Sequence, residues 1–355
     1  MSSTQSSYYQ IREFSARLGE QTIQVVSKPG IPHWDAVSPA SLLLAEAVEP
    51  ADGDRALLIG CGHGALGVAL SRRARAGEVA LMDVSCIAAA MARRTLRANA
   101  VANARVCESI SVLPEQAGTF DVVAIEAPSD RKLARRWLAE ARDALKDGGR
   151  LYVAGANDHG IRSTIADAAA LFGGAPAIAY KRGHRVALAR KTSDSQASAA
   201  WAGAPGIAPG TWHEFDALVR GHTLRMRSLP GVFAYDRIDE GTALLLEALD
   251  LPARARVLDV GCGHGIIGLL AARLGAAHVD LVDANLLAVA AANENCARNG
   301  VASARALASD GVPAGSAQQY DVVVTNPPFH VGKVVAYEVA HAFLARARQA
   351  LRPGG

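Results

Sequence analysis

The sequence predicts an α/β fold made twice: two tandem units, each a mostly parallel sheet with helices on both faces. Three observations carry this. The pentapeptide GCGHG follows an apolar run in two places, after RALLI at residues 60–64 and after RVLDV at residues 261–265. The likeness extends beyond the glycines: SKPGIPHWD at 27–35 matches SLPGVFAYD at 228–236, EVALMDVS at 78–85 matches HVDLVDAN at 278–285, and RANAVANAR at 97–105 matches ARNGVASAR at 297–305. A shared approach, turn and later helix mark a duplicated domain, not a short motif recurring by chance. Within each copy, short Val- and Leu-rich runs alternate with Ala- and Arg-rich segments, the pattern of parallel strands buried on both faces.

The elements follow in order. In the first copy, strands are predicted near 55–59, 78–83, 104–108 and 120–125, then LYVAGA at 151–156, a helix at 160–172 and a closing pair near 176–190. Residues 2–7 are expected to be disordered, and QIREFSARLGEQTIQVVSKPG to form an irregular lead-in with some strand character. In the second copy, strands are predicted near 256–260, 278–283, 304–309 and 320–325, with helices near 241–249, 265–274, 285–299 and 335–351. The Ser-, Ala-, Gly- and Pro-rich stretch 192–210 lacks periodicity and reads as a linker, which sets domains at 1–191 and 211–355. DALKDGG at 143–149 aligns with QALRPGG at 349–355, yet the first copy runs on to Lys191. The second copy is therefore expected to be truncated after its fourth strand and the following helix.

At 355 residues, 50% of them hydrophobic, the chain can bury two cores. Five cysteines without framework spacing, and no long apolar run, point to a reduced, soluble, cytoplasmic protein with no membrane role. Cys61 and Cys262, each between two glycines, read as small buried fillers and not metal ligands; no metal site is expected. Net charge is +3, but residues 1–191 hold 24 Lys and Arg against 19 Asp and Glu, and the remainder 13 against 15. The basic excess thus sits on the first copy, as expected of a docking surface for a polyanion.

A strand followed by a Gly-rich turn into a helix is the Rossmann-like arrangement, which serves several nucleotide ligands. Glycine at Gly261, Gly263 and Gly265 lets the backbone approach a ligand closely. No Gly-Lys-Ser/Thr follows, which argues against a phosphate loop. Acidic residues close successive strands: Asp259, Asp283 and Asp310. Asp283 can accept both hydroxyls of a ribose, and Asp259 can pair with an ammonium group, directly or through water. Such a set suits a cationic aminoacyl nucleoside better than a pyrophosphate; helix capping is the alternative role for these aspartates. The first copy keeps Asp83 but has Leu58 at the position of Asp259.

After the fourth strand of the second copy comes Asn326-Pro327-Pro328-Phe329. Two prolines fix the chain and lack N–H groups. The Asn326 oxygen and the Pro327 carbonyl can accept protons from an exocyclic amine and keep its lone pair aimed at a methyl donor, while Phe329 can stack on the base. The first copy has Glu126, Ala127, Pro128 and Ser129 there, so a second active site is not expected.

These motifs resemble the class I methyltransferases that use S-adenosylmethionine, and within them the ribosomal RNA guanine-N2 methyltransferases with duplicated domains, the small-subunit type above the large-subunit type. The matching stretches are PGVFAYDRIDEGTALLLEAL at 230–249, VLDVGCGHGIIGL at 257–269, LVDAN at 281–285, Ser309-Asp310 and VVVTNPPFHVG at 322–332. The resemblance implies two tandem class I methyltransferase domains, of which the later binds S-adenosylmethionine and methylates a guanine amine while the earlier, degenerate, supports folding and RNA recognition. It places Asp236 and Gly241 in the segment closing over the cofactor and gives Asn326 to Phe329 the flipped base. The implied partner is ribosomal RNA or a ribosomal subunit, met by a monomer with no required protein partner. Competing readings are a noncatalytic RNA-binding or assembly factor, and a methyltransferase acting on adenine N6 or a protein glutamine.

Overall fold

The computed structural model of the chain describes residues 7–107, 109–192, 199–327, 330, 331, 334, 335 and 337–355, with backbone alone at 330, 331, 334, 335, 337 and 338. In the first repeat, strands β1 (Arg12–Leu18) and β2 (Gln21–Ser27) form an antiparallel hairpin, with Arg12 opposite Ser27 and Leu18 opposite Gln21. Then follow α1 (Pro39–Ala47), β3 (Arg55–Ile59), α2 (Ala65–Ser71), β4 (Glu78–Met82), α3 (Cys86–Ala98), β5 (Ala104–Val106), β6 (Phe120–Glu126), α4 (Arg131–Ala144), β7 (Leu145–Ala156), α5 (Ile161–Phe172), β8 (Ala177–Lys181) and β9 (His184–Arg190). The second repeat has the hairpin β10 (His213–Val219) and β11 (His222–Ser228), then α6 (Glu240–Ala248), β12 (Arg256–Val260), α7 (Ile266–Arg273), β13 (His278–Asp283), α8 (Leu286–Arg298), β14 (Ala304–Ala308), β15 (Val322–Thr325) and α9 (Tyr337–Ala350).

The first repeat makes a seven-stranded sheet in the order β5-β4-β3-β6-β7-β9-β8, and the second a parallel four-stranded sheet in the order β14-β13-β12-β15. In both, successive strands step outward from the first parallel strand and then restart on its other side. That reversal leaves a crevice at the carboxyl ends of β12 and β15, the place where open α/β sheets hold ligands. The predicted parallel strands and closing pair stand where the apolar runs put them. The lead-in at 10–30 is a regular hairpin, and a second hairpin precedes the later sheet.

Apolar runs form these strands because both sheet faces are covered. Val257, Leu258, Val279, Leu281 and Val282 are all fully buried. Helix starts are fixed locally: the Asn285 side chain accepts from Leu287 N–H, Asp239 from Gly241 and Thr242 N–H, and Ser85 from Ala88 N–H. Small residues let α2 and α7 lie close on their sheets.

Two compact units emerge, one spanning Gln10–Thr211 and the other Trp212–Gly355 together with the leading residues through Tyr9. The boundaries therefore differ from 191 and 211. Residues 1–6 lie outside those described, but Ser7–Tyr9 form a 3-10 turn with Tyr8 buried, where disorder was expected for Ser7. Much of the expected linker is packed against the first unit: Ala199 and Ile207 are buried, Arg136 donates to Gly206 O at 2.9 Å, and Trp201 lies 5.1 Å from the Arg135 guanidinium. Arg136 is itself only 2% exposed, and that carbonyl joins Ser111 Oγ and the Glu140 carboxylate in meeting its guanidinium.

A Cβ at Gly67 would lie 2.5 Å from Leu81 Cδ2, and one at Gly268 would lie 2.5 Å from Leu281 Cδ2. Gly67→Ala and Gly268→Ala should each destabilise the unit they sit in by about 1–3 kcal/mol through overpacking. Urea titration of each variant, with hydrogen exchange to identify the affected unit, checks this.

Candidate active site

The turn after β12 is shaped by a carboxylate on the next strand. Asp283 accepts from Gly263 N–H at 3.0 Å through Oδ2 and from Asn285 N–H at 2.8 Å through Oδ1. Gly261, Gly263 and Gly265 have φ of 75°, 54° and 84°, left-handed values that side-chain-bearing residues adopt only at a cost. At Gly265 space is limiting as well, since a Cβ would stand 2.8 Å from Ala292 Cβ. Burial pushes the Asp283 carboxyl above its usual range, against the pull of the backbone N–H groups.

Asp259 is fully buried beneath the first turn of α7, where its Oδ2 accepts from Gly268 N–H at 3.2 Å. That is a helix-capping bond. Among the described residues its Oδ1 has no hydrogen-bond partner, and burial pushes the carboxyl up to about 7. The residue thus performs the capping role and also leaves an acceptor unmet next to the glycine turn, an arrangement that a cationic ligand relieves.

The segment before α6 is tied across this turn. His264 Nε2 contacts Arg237 O at 3.4 Å, and Asn285 Nδ2 donates to Gly231 O at 2.7 Å. Asp236 lies within that segment and accepts from Arg237 Nη1 at 2.8 Å. His264 is 5% exposed, with its proton affinity lowered by burial, and is part of the turn's scaffold. Burial drives the Cys61 and Cys262 thiols well above their ordinary range, so both stay protonated and unreactive.

On the reacting side, Asn326 follows β15, and its Nδ2 donates to Thr242 Oγ1 at 3.0 Å. With the amide nitrogen held, Oδ1 is the acceptor left for a substrate. Gly241 stands beside it: a Cβ there would lie 3.7 Å from Asn326 Nδ2. Pro327 is half-buried at the strand end, while Pro328 and Phe329 lie outside the described residues. Thr242 was missed by sequence reasoning; the hydroxyl kept at Ser41, its counterpart in the first copy, was the available signal.

The first copy shows what was lost. Asp83 still accepts from Gly62 and Ser85 N–H, both at 2.9 Å, and burial raises its carboxyl to about 6. Glu126 replaces Asn326, and the polarity reverses, since Ser41 Oγ now donates to Glu126 Oε2 at 2.5 Å. A Cβ at Gly60 would meet the Trp137 ring at 2.9 Å, whereas one at Gly261 or Gly263 meets no atom of the described residues within 4 Å. Trp137 thus fills the space at Gly60 alone, since a Cβ at Gly62 also meets no atom of the described residues within 4 Å.

A parallel sheet with this strand order, a glycine-rich turn and an acidic residue closing the second strand are the features of a class I methyltransferase, an enzyme that uses S-adenosylmethionine. The chain belongs to the methyltransferase small domain family, which it matches over residues 22–187 and 223–355. Among its relatives are proteins named ribosomal RNA small subunit methyltransferase C. That of Stutzerimonas stutzeri is 33% identical over 255 residues, 70% of this chain and 71% of the relative. That of Chromohalobacter salexigens is 37% identical over 234 residues, 64% of this chain and 65% of the relative. Among solved structures, the T. thermophilus 16S rRNA N2 G1207 methyltransferase (RsmC), in complex with AdoMet and guanosine, superposes with a TM-score of 0.78 at 32% identity, covering 98% of this chain and 88% of that one.

The Asp259 carboxyl, raised to about 7, is protonated below that pH in the unliganded protein, while an ammonium ligand favours its ionised form. The sign follows. Affinity for S-adenosylmethionine should rise between about pH 6 and about pH 8, with proton release on binding, and the stability of the unliganded unit should fall as pH climbs from about 4 through about 7. Calorimetric titration should find one site per chain with this pH dependence, and Asp259→Asn should flatten it.

Proposed function

We propose that this chain transfers a methyl group from S-adenosylmethionine to the exocyclic N2 amine of a guanine in small-subunit ribosomal RNA. The observation that carries the reading is the Asn326 amide, its nitrogen fixed by Thr242 and its oxygen left to accept, at the carboxyl edge of β15 beside an open glycine turn. The naming of the relatives and of the guanosine-bound T. thermophilus structure supports the same substrate.

Asp283 serves the ribose, because each of its oxygens retains a lone pair after accepting a backbone N–H. Asp259 faces the amino-acid end and Asp310, beyond β14, the base. Bound S-adenosylmethionine supplies an electrophilic methyl group. On the substrate side, Asn326 Oδ1 and the Pro327 carbonyl accept the two amine protons, which aims the nitrogen lone pair and stabilises the charge that grows on nitrogen. No strong base is required, since the proton leaves once the nitrogen is cationic. The ring at Phe329 provides a stacking surface for the flipped base, with Pro328 stiffening the loop.

The first unit serves RNA docking and support in this reading. It carries the basic excess, and on its β8–β9 hairpin Tyr180 is 61% exposed with the Arg185 guanidinium 4.8 Å from its ring centre, beside Lys181 and Arg182. Exposed aromatics among cations suit single-stranded RNA. No helix among the described residues is long and apolar enough to cross a membrane. A cytoplasmic monomer acting on RNA or a ribosomal subunit completes the reading.

Incubation with labelled S-adenosylmethionine and small subunits lacking the modification should yield N2-methylguanosine at one position by nucleoside mass spectrometry. Asn326→Ala should lower kcat by about 100-fold or more with donor affinity unchanged; transfer to adenine, to protein, or none at all sinks the assignment. The pair Tyr180→Ala and Arg185→Ala should weaken RNA binding by about tenfold while leaving donor binding intact, in a salt-dependent binding assay.

A further inference from the structure

The chain's leading segment reaches the base end of the cofactor site. Tyr8 is 3% exposed and clustered with Leu258, Val260, Val282, Val312 and Phe343 of the later unit. Its hydroxyl donates to Asp310 Oδ1 at 2.7 Å, across 302 positions of sequence. The turn that carries Asp310 is also seated from below: a Cβ at Gly311 would lie 2.6 Å from Phe343 Cε1 and 3.0 Å from Tyr9 Oη. Tyr9 is in turn covered by the Arg346 guanidinium, 3.2 Å from its ring centre, and meets Tyr8 edge-on with centroids 4.9 Å apart.

The order of carboxylates across the sheet gives this contact a function. Asp259 is on β12, Asp283 ends β13, and Asp310 follows β14, which lies outermost. A nucleoside whose amino-acid arm is at β12 and whose ribose is at β13 brings its base to β14. A carboxylate there accepts from the exocyclic amine of a purine and repels a carbonyl at the same place.

We propose that Tyr8 is a positioning residue for the methyl donor, setting the rotation of the Asp310 carboxylate so that the site selects an amine-bearing purine. The proposal rests on the reading of Asp310 as the base contact. Tyr8 acts through Asp310, as residues behind a ligating group orient it and sharpen its selectivity.

The test uses the full chain and two probes, S-adenosylhomocysteine and its 6-oxo counterpart S-inosylhomocysteine, titrated calorimetrically into the parent protein, Tyr8→Phe and Asp310→Asn. Tyr8→Phe retains the ring and removes only the donor. The parent should prefer the adenosyl probe by about tenfold or more, and Tyr8→Phe should erase most of that preference by weakening the adenosyl probe alone. An unchanged preference in Tyr8→Phe, or equal weakening of both probes, overturns the proposal and leaves Tyr8 as packing. If Asp310→Asn keeps the parent's preference, Asp310 is not the base contact and the underlying reading fails as well; if Asp310→Asn loses it while Tyr8→Phe keeps it, only the proposal falls. Thermal melts of each variant verify that the ratio is measured on folded protein.

Discussion

A buried carboxylate holding backbone N–H groups is the contact on which each glycine turn depends. Asp283 bridges the turn after β12 and the start of α8, and Asp83 does the same between Gly62 and Ser85 in the first unit. Half-buried backbone donors at the crevice need acceptors, and a single carboxylate meets one on each side of it. This accounts for an aspartate at the same place in both repeats although only the later one has Asn-Pro-Pro-Phe after its fourth strand. The residue is required by the turn itself, independently of what it offers a ligand. Leu58 fills the buried position that Asp259 holds in the later unit, but offers the helix above it no acceptor.

The two repeats diverged by filling and by inversion. Trp137 fills the space over Gly60 that stays open over Gly261. At the reacting position, Asn326 and Thr242 pair as amide donor and hydroxyl acceptor, while Glu126 and Ser41 pair as carboxylate acceptor and hydroxyl donor. The hydroxyl on the facing helix is suited to either partner since it both gives and accepts. The contact with the facing helix survived the substitution although its polarity did not, since a carboxyl side chain stands where the later unit has a neutral amide.

Much of this was legible in the sequence. The apolar runs placed all four strands of the later sheet, the repeated glycines placed both turns, and the difference between Asn326 and Glu126 set the two copies apart. What was illegible arises from contacts far apart in the chain. Thr242 is marked in the sequence only by the hydroxyl at its counterpart Ser41, and it matters because β15 ends beside α6. The segment at 199–211 has the composition of a linker, yet Arg136 draws it onto α4 through one carbonyl. The hairpin β10–β11 had a usable signal in its alternation around Arg220-Gly221, both at positive φ, and was passed over for the stronger glycine turn that follows.

The leading segments of the two repeats are exchanged. Ser7–Tyr9 precede the first hairpin but belong with the later unit, and residues 199–211 precede the second hairpin but belong with the earlier one. This sets a schedule for synthesis. The earlier unit has its whole complement of residues once position 211 has emerged, whereas Tyr8 waits for Asp310, 302 positions on, which at ribosomal rates of roughly 5–20 residues per second is about 15–60 s. Through that interval two tyrosines have no pocket to enter, although they are made before every other residue of the core cluster that buries them.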